Sequence, residues 1–271
     1  MVRSLWTAAT GMISQQTNVD TIANNLANVN TTGYKSEVAE FKSLLYQTIQ
    51  TKTTTANGEN KPVGAQVGLG VRNSAITSIF KQGSMLASES NTAFAIQGDG
   101  LFAVRGQDGQ TYYTRNGNFL FTTATNGMML ATSDGLPVLS SQGNPIILNN
   151  NYVASRIGIN SRGELTYPDA NNNPQPIGVT IGLYQFTNPS GLEKIDSTMY
   201  AATAASGAAI NEATNNNVVR SNLLQGYLEG YSVQVADEMV NLIVAQRAYE
   251  MNSRAITTTD EMLQQANQLK R

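Results

Sequence analysis

Both ends of this 271-residue chain carry a seven-residue apolar repeat, and nothing between them matches it. Residues 4–29 and 233–270 each read as an amphipathic helix, bracketing a Gly- and Asn-rich middle with a β pattern. In the first segment Leu5, Met12, Val19 and Leu26 stand seven apart, with Ala8, Gln15, Ile22 and Val29 three later. In the last, Val235, Leu242, Tyr249, Ile256 and Leu263 repeat at the same interval, with Met239 in an intermediate place. Stripes of this period seek helical partners. Association chemistry therefore sits at the termini, in a chain built to assemble rather than to catalyse.

Composition supports that. Charged residues make up 13% and the net charge is −2, well under the usual quarter of charged residues. There is no basic field for nucleic acid and no polybasic run for anionic lipid. Asn, Gln, Ser and Thr carry the polarity instead, and uncharged polar groups are buried at far lower cost than charges. With no Cys and no His, thiol nucleophiles, disulfides and most zinc sites are gone, as is the usual neutral-pH general base. Ser and Thr interrupt the apolar run after Arg3, so no cleavable leader is expected, nor is there a run of about 20 apolar residues for a membrane span.

Ser4 reads as the first helix's N-cap, and Asn30-Thr31-Thr32-Gly33 as its stop. So Asn-rich a helix is weak in isolation and gains its order from partners. Val38, Phe41, Leu44 and Leu45 suggest a short helix over 36–48, and Thr51–Gly70 reads as a linker or extended loop. From Val71 the period shortens. Strand-like runs alternate with Asp99-Gly100, Asp108-Gly109, Asn116-Gly117, Asn126-Gly127 and Asp134-Gly135, the pairs that suit type I′ hairpin turns. Asn215-Asn216-Asn217 is expected to separate this region from the closing helix, on which Glu250 precedes Arg254 by the favourable four residues. The expected fold is α+β, with the terminal helices pairing as a coiled-coil-like unit and an antiparallel β-rich domain between them. The expected boundaries are 1–33 plus 233–271 for the helical domain, 34–75 for a connecting segment and 76–232 for the β domain.

Chemical motifs fail on inspection. Ser78-Ile79-Phe80-Lys81 fits Ser-x-x-Lys without the companion elements that chemistry needs. Asp169, Asn171 and Asn173 open like a calcium loop, but Pro174 replaces the turn glycine and Thr180 the bidentate glutamate. Adjacent carboxylates at Asp237-Glu238 and Asp260-Glu261 diverge on a helix. No catalytic residue, metal ligand or cofactor site is expected.

Two terminal stretches resemble a known family. Ser4-Leu5-Trp6-Thr7-Ala8-Ala9-Thr10-Gly11-Met12, followed by Ile22 through Lys35, is similar to the N-terminal signature of bacterial flagellar rod and hook proteins. Glu238 through Glu250 is similar to the matching C-terminal signature, and Ala95–Phe102, Tyr113–Phe119 and Asn188–Leu192 agree in the middle. Leu44-Leu45-Tyr46-Gln47-Thr48, with the polar stretch leading to Gly68-Leu69-Gly70-Val71, resembles the distal-rod branch; the proximal-rod and hook paralogues are the alternatives. One stretch departs: Leu228-Glu229-Gly230-Tyr231-Ser232-Val233 stands where a Ser-Asn pair usually precedes Val. A remoter alternative, of a different class, is an oligomeric extracytoplasmic binding module.

The resemblance implies a subunit exported unfolded through the flagellar type III apparatus and polymerised as a helical tube in the periplasm. Its terminal helices would line that tube, and Thr51–Gly70 would touch neighbouring subunits. Implied partners are further copies of the chain, proximal-rod and hook or hook-junction proteins, surrounding ring proteins and the export apparatus, with no nucleic acid and no membrane insertion. The residues expected at the assembly interface are Leu5, Met12, Val19, Ile22, Leu26, Val29, Val235, Met239, Leu242, Ile243, Tyr249, Ile256 and Leu263.

Overall fold

The computed structural model describes residues 2–50, 64–124, 127–149, 151–169, 171–215 and 217–269. The chain is α+β, with a helix at each end and an antiparallel β-rich region between. It divides into two compact units. A helical unit comprises Met1–Leu26, Glu37–Thr77 and Gln234–Arg271, and a β unit comprises Ala27–Ser36 and Ser78–Val233.

In the helical unit, α1 (Val2–Ala27) and α2 (Val235–Gln268) form where the seven-residue repeats predict them. Ser4 is not the N-cap. The helix has already begun at Val2, and the Thr7 hydroxyl donates to the Arg3 carbonyl one turn back. The expected helix over 36–48 is also replaced, by β1 (Glu37–Ser43) and β2 (Tyr46–Gln50). Their partners are far along the chain: β2 runs antiparallel to β3 (Ala65–Gly68), and β1 pairs with β4 (Val71–Ser78). Leu44 N–H to Gly70 O at 2.9 Å and Leu69 N–H to Leu45 O at 3.3 Å continue one pair into the other. The apolar spacing there mimics a helix; strand partners farther along the chain outweigh that local preference. Residues 51–63 of the expected linker lie outside the described residues, and 65–68 are strand.

Within the β unit a six-stranded antiparallel sheet carries the core. Leu101–Arg105 lies between Thr111–Thr114 and Leu183–Gln185. A three-stranded sheet (Phe119–Ala124, Gly127–Thr132, Ile147–Leu148) and another (Gly158–Ile159, Glu164–Pro168, Pro174–Thr180) join it. Phe94, Phe102, Phe119, Leu130, Val138 and Leu165 are buried together, with Phe102 and Phe119 edge to face at 5.0 Å.

Turns fall at Asp108-Gly109 and Asp134-Gly135 as expected, but they are not type I′. Among the described residues only Asn172 and glycines have positive φ, so neither aspartate adopts the first position of that turn. The Asp108 carboxylate instead accepts from Gln110 N–H and Tyr112 O–H, a local arrangement that leaves φ negative. Asp99-Gly100 closes no hairpin either, because Phe94–Gln97 pairs with Asn222–Gln225. That strand and Tyr227–Glu229 carry the β region past the Asn-rich boundary expected at 215–217.

Candidate functional site

Two contacts between the terminal helices are made by polar and small residues. A Cβ on Gly11 would stand 2.9 Å from Asn252 Nδ2, so glycine admits that side chain against the backbone of α1. Asn25 Nδ2 donates to Glu238 Oε1 at 3.2 Å. From Gly11 to Asn25 is fourteen residues forward, and from Asn252 to Glu238 fourteen back, so α1 and α2 run antiparallel. The two anchors are about 21 Å apart along the axis at 1.5 Å per residue.

Each anchor belongs to a second heptad series. On α2 this is Glu238, Ala245, Asn252 and Thr259, of which Ala245 and Thr259 are buried. On α1 it is Gly11, Asn18 and Asn25, with Ser14 and Thr21 between; Ser14, Thr21 and Asn25 are buried. Hydroxyls here are satisfied within their own helix, Thr21 donating to Thr17 O at 2.8 Å and Thr259 to Ala255 O at 2.6 Å. Hydropathy sees no signal in such a stripe. The period of seven, counted on Asn, Thr, Gly and Ala, carries it.

A third face of α1 binds β1 and β4. Thr10, Thr17 and Asn24, again seven apart, meet Val71 N–H, Asn73 Nδ2 and Glu37 Oε2, the last two at 2.7 and 3.1 Å. With polar contacts on two faces, the apolar stripe is left at the margin. Leu5, Met12, Val19 and Leu26 are half-buried, Ile22 is buried, and Val29 is half-buried beyond the helix end, in the β unit. On α2, Val235, Leu242, Ile256 and Leu263 are half-buried, while Met239, Ile243 and Tyr249 are exposed. Val240, Val244 and Met251 are exposed too, so α2 keeps an apolar surface that its own subunit does not use. Gln16, Val19, Gln246, Tyr249 and Glu250 line a groove of about 390 Å³ in this unit. Glu250 is engaged by Arg247 at 2.8 Å, not by Arg254 as expected.

A charge cluster in the β unit went unforeseen. Glu229 is fully buried, with Lys35 Nζ on its Oε1 and Arg115 Nε on its Oε2, each at 2.7 Å. Gly83 N–H adds a third bond at 2.8 Å. Lys35 also donates to Lys81 O, and Arg115 to the Gly98 and Gly100 carbonyls. Burial alone would raise the Glu229 carboxyl, but the charges and hydrogen bonds of Arg115 and Lys35 outweigh it and hold the group below its ordinary range. Burial pulls the Lys35 ammonium down, and Arg115 adds to that against the opposing pull of Glu229. Lys35 lies 80 residues from Arg115 and 194 from Glu229, so no local spacing could have joined them. Elsewhere, no group of three acidic residues suited to a metal occurs among the described residues. Among the described residues, no helix is long and apolar enough to cross a membrane.

Three family models match this chain. One for flagella basal body rod proteins covers residues 5–35, one for the D1 domain of flagellar hook protein FlgE/F/G covers 95–167, and one for the C-terminal part of flagellar basal body rod FlgEFG proteins covers 224–269. The flagellar basal-body rod protein FlgG of Borreliella burgdorferi is 44% identical, with both chains covered in full. FlgG of Caulobacter vibrioides is 41% identical, over 99% of this chain and all of the relative, and FlgG of Bacillus subtilis 38% over the whole of both. The polar seam, the charge cluster's Lys35 and its Glu229 all fall in matched segments, and on this similarity the chain belongs to the flagellar basal-body rod protein family.

Proposed function

We propose that this protein is a structural subunit of the flagellar distal rod, polymerising into a helical tube that carries motor torque to the hook. Full-length similarity to rod proteins named FlgG carries this reading. The geometry gives it a mechanism. Polar and small residues join α1 to α2 inside the subunit, in an antiparallel coiled-coil-like pair. Val240, Ile243, Val244 and Met251 remain for neighbours, and burying such side chains is worth about 1.5–3 kcal/mol each.

In the assembled shaft, Leu5, Met12, Val19, Leu26, Val29, Val235, Met239, Leu242, Ile243, Tyr249, Ile256 and Leu263 meet further copies, while Ile22 is buried within its own subunit. Proximal-rod and hook or hook-junction proteins cap the two ends, ring proteins surround the shaft in the periplasm, and the flagellar export apparatus delivers the subunit. Its role is mechanical, with no catalytic step. Electron microscopy of concentrated purified protein tests this reading. Ordered rods or tubes of the intact chain are the expected result; a folded protein that stays monomeric at every concentration would overturn it.

A further inference from the structure

The chain passes between the helical unit and the β unit at 26/27, 36/37, 77/78 and 233/234. On the β-unit side, three of these passages are tied to one another. Ile79 N–H donates to Ser36 O at 2.8 Å, Ser36 N–H to Ser232 Oγ at 3.1 Å, and Ser232 N–H to Tyr34 O at 3.4 Å. Directly beside them along the chain lie Lys35 and Glu229, with Gly33 N–H on Glu229 O at 2.8 Å and Gly230 N–H on Ser84 O at 2.7 Å. The fourth passage enters the turn that ends at Gly33, where Thr32 donates to Asn116 Oδ1 at 2.9 Å.

Backbone bonds at the ends of a domain ordinarily fray, opening with almost no free-energy cost. Here they sit against a centre that resists opening. Glu229 has no exposed side-chain surface, and Lys35 and Arg115 are 1% and 4% exposed. Withdrawing Glu229 leaves two buried cations facing each other, and withdrawing either cation strips the carboxylate of a charged hydrogen bond in a dry site. Each comes from a different segment, so none can leave singly. An apolar cluster would bury as well but would tolerate slippage, whereas two charged hydrogen bonds to opposite oxygens of one carboxylate fix position.

We infer that Glu229, Lys35 and Arg115 are positioning residues of an internal interlock, which binds the β-unit ends of three chain passages into one stiff root. Its mechanical use, passing torque through one root instead of three independent tethers, rests on the shaft reading. The interlock itself does not.

Amide hydrogen exchange on the full chain tests it, comparing wild type with Glu229→Gln and Lys35→Met. Ser36 and Ile79 report the passages, and Leu130 and Val138, bonded to Ile146 O and Leu130 O, report the core. Both variants should speed exchange at Ser36 and Ile79 by about a hundred-fold while the core amides change by about two-fold or less, since two unpaired cations in Glu229→Gln, and a carboxylate short of its charged donor in Lys35→Met, open their surroundings first. Equal acceleration at both sets would make the cluster a general stabiliser and overturn the proposal, as would no change at Ser36 and Ile79. Should Glu229→Gln fail to fold, Lys35→Met, which retains the Glu229–Arg115 pair, decides the matter. A wild-type chain that shows this pattern yet forms no rods sinks the shaft reading and leaves the interlock standing.

Discussion

The Asn25 side chain pairs with the backbone of Glu37 in both directions. Its Nδ2 donates to the Glu37 carbonyl at 2.8 Å, and its Oδ1 accepts the Glu37 N–H at 2.9 Å. This is how a strand neighbour pairs, supplied by a helix. The same Nδ2 reaches Glu238, so one amide ties α1 to β1 and to the start of α2.

Asn25→Asp is therefore expected to be worse than its size suggests. A carboxylate cannot donate to the Glu37 carbonyl, and it meets the Glu238 carboxylate at close range. Loss of a buried donor costs about 1–3 kcal/mol, more for a charged group. Thermal unfolding followed by the helical signal should show an earlier transition for Asn25→Asp than for Asn25→Ser. Equal transitions would mean that a second carboxylate beside Glu238 costs nothing.

That relationship also explains what the sequence could and could not reveal. Val235, Leu242, Ile256 and Leu263 announced α2 because apolar residues at a helical period are what hydropathy reads. Gly11 and Asn25, two such periods apart, contribute contacts to α2, yet they count as polar or neutral. Glu37–Ser43 imitates a helix because Val38 and Phe41 sit at helical spacing while β4, its partner, lies beyond any local window. The charge cluster was hidden for a different reason. Isolated Lys, Arg and Glu ordinarily denote solvated surface, and only the tertiary fold brings Lys35, Arg115 and Glu229 together.

Gly33 should tolerate no side chain. Its φ is +71°, and a Cβ would stand 2.5 Å from Asn116 N, in backbone that cannot swing aside. Gly33→Ala combines left-handed strain of about 1 kcal/mol with that clash, for an expected loss of at least about 2 kcal/mol. Denaturant unfolding of the β unit, followed by near-ultraviolet circular dichroism of its buried tyrosines, is the measurement. An unchanged midpoint would show that the turn relaxes without cost.

Acid should weaken the β unit through Glu229. Its folded-state pKa lies below its ordinary 4.5, so the unfolded chain binds the proton more readily. The stability it supplies is fully present above 4.5 and is lost as pH falls through the lower folded value. Glu229→Gln removes that titration and should flatten the acid limb of stability against pH, from a lower starting stability. Parallel acid limbs in wild type and variant would assign the acid sensitivity to other carboxylates.

Ile243 separates folding from assembly. It is 55% exposed on α2, close in sequence to the exposed Val240 and Val244. Ile243→Asp should leave the melting temperature nearly unchanged, because exposed substitutions stay within about 0.5 kcal/mol. In the polymer the same carboxylate would be buried against a neighbour without a cation, at a cost of several kcal/mol for each subunit added. Each 1.4 kcal/mol raises the critical concentration about ten-fold. Sedimentation across a concentration series should therefore show wild-type polymer where the variant remains monomeric. Ala245→Asp provides the contrast, since Ala245 is buried within its own subunit and that change should unfold the helix pair before assembly is reached. If Ile243→Asp polymerises at the wild-type concentration, the exposed face of α2 is not the surface that joins subunits.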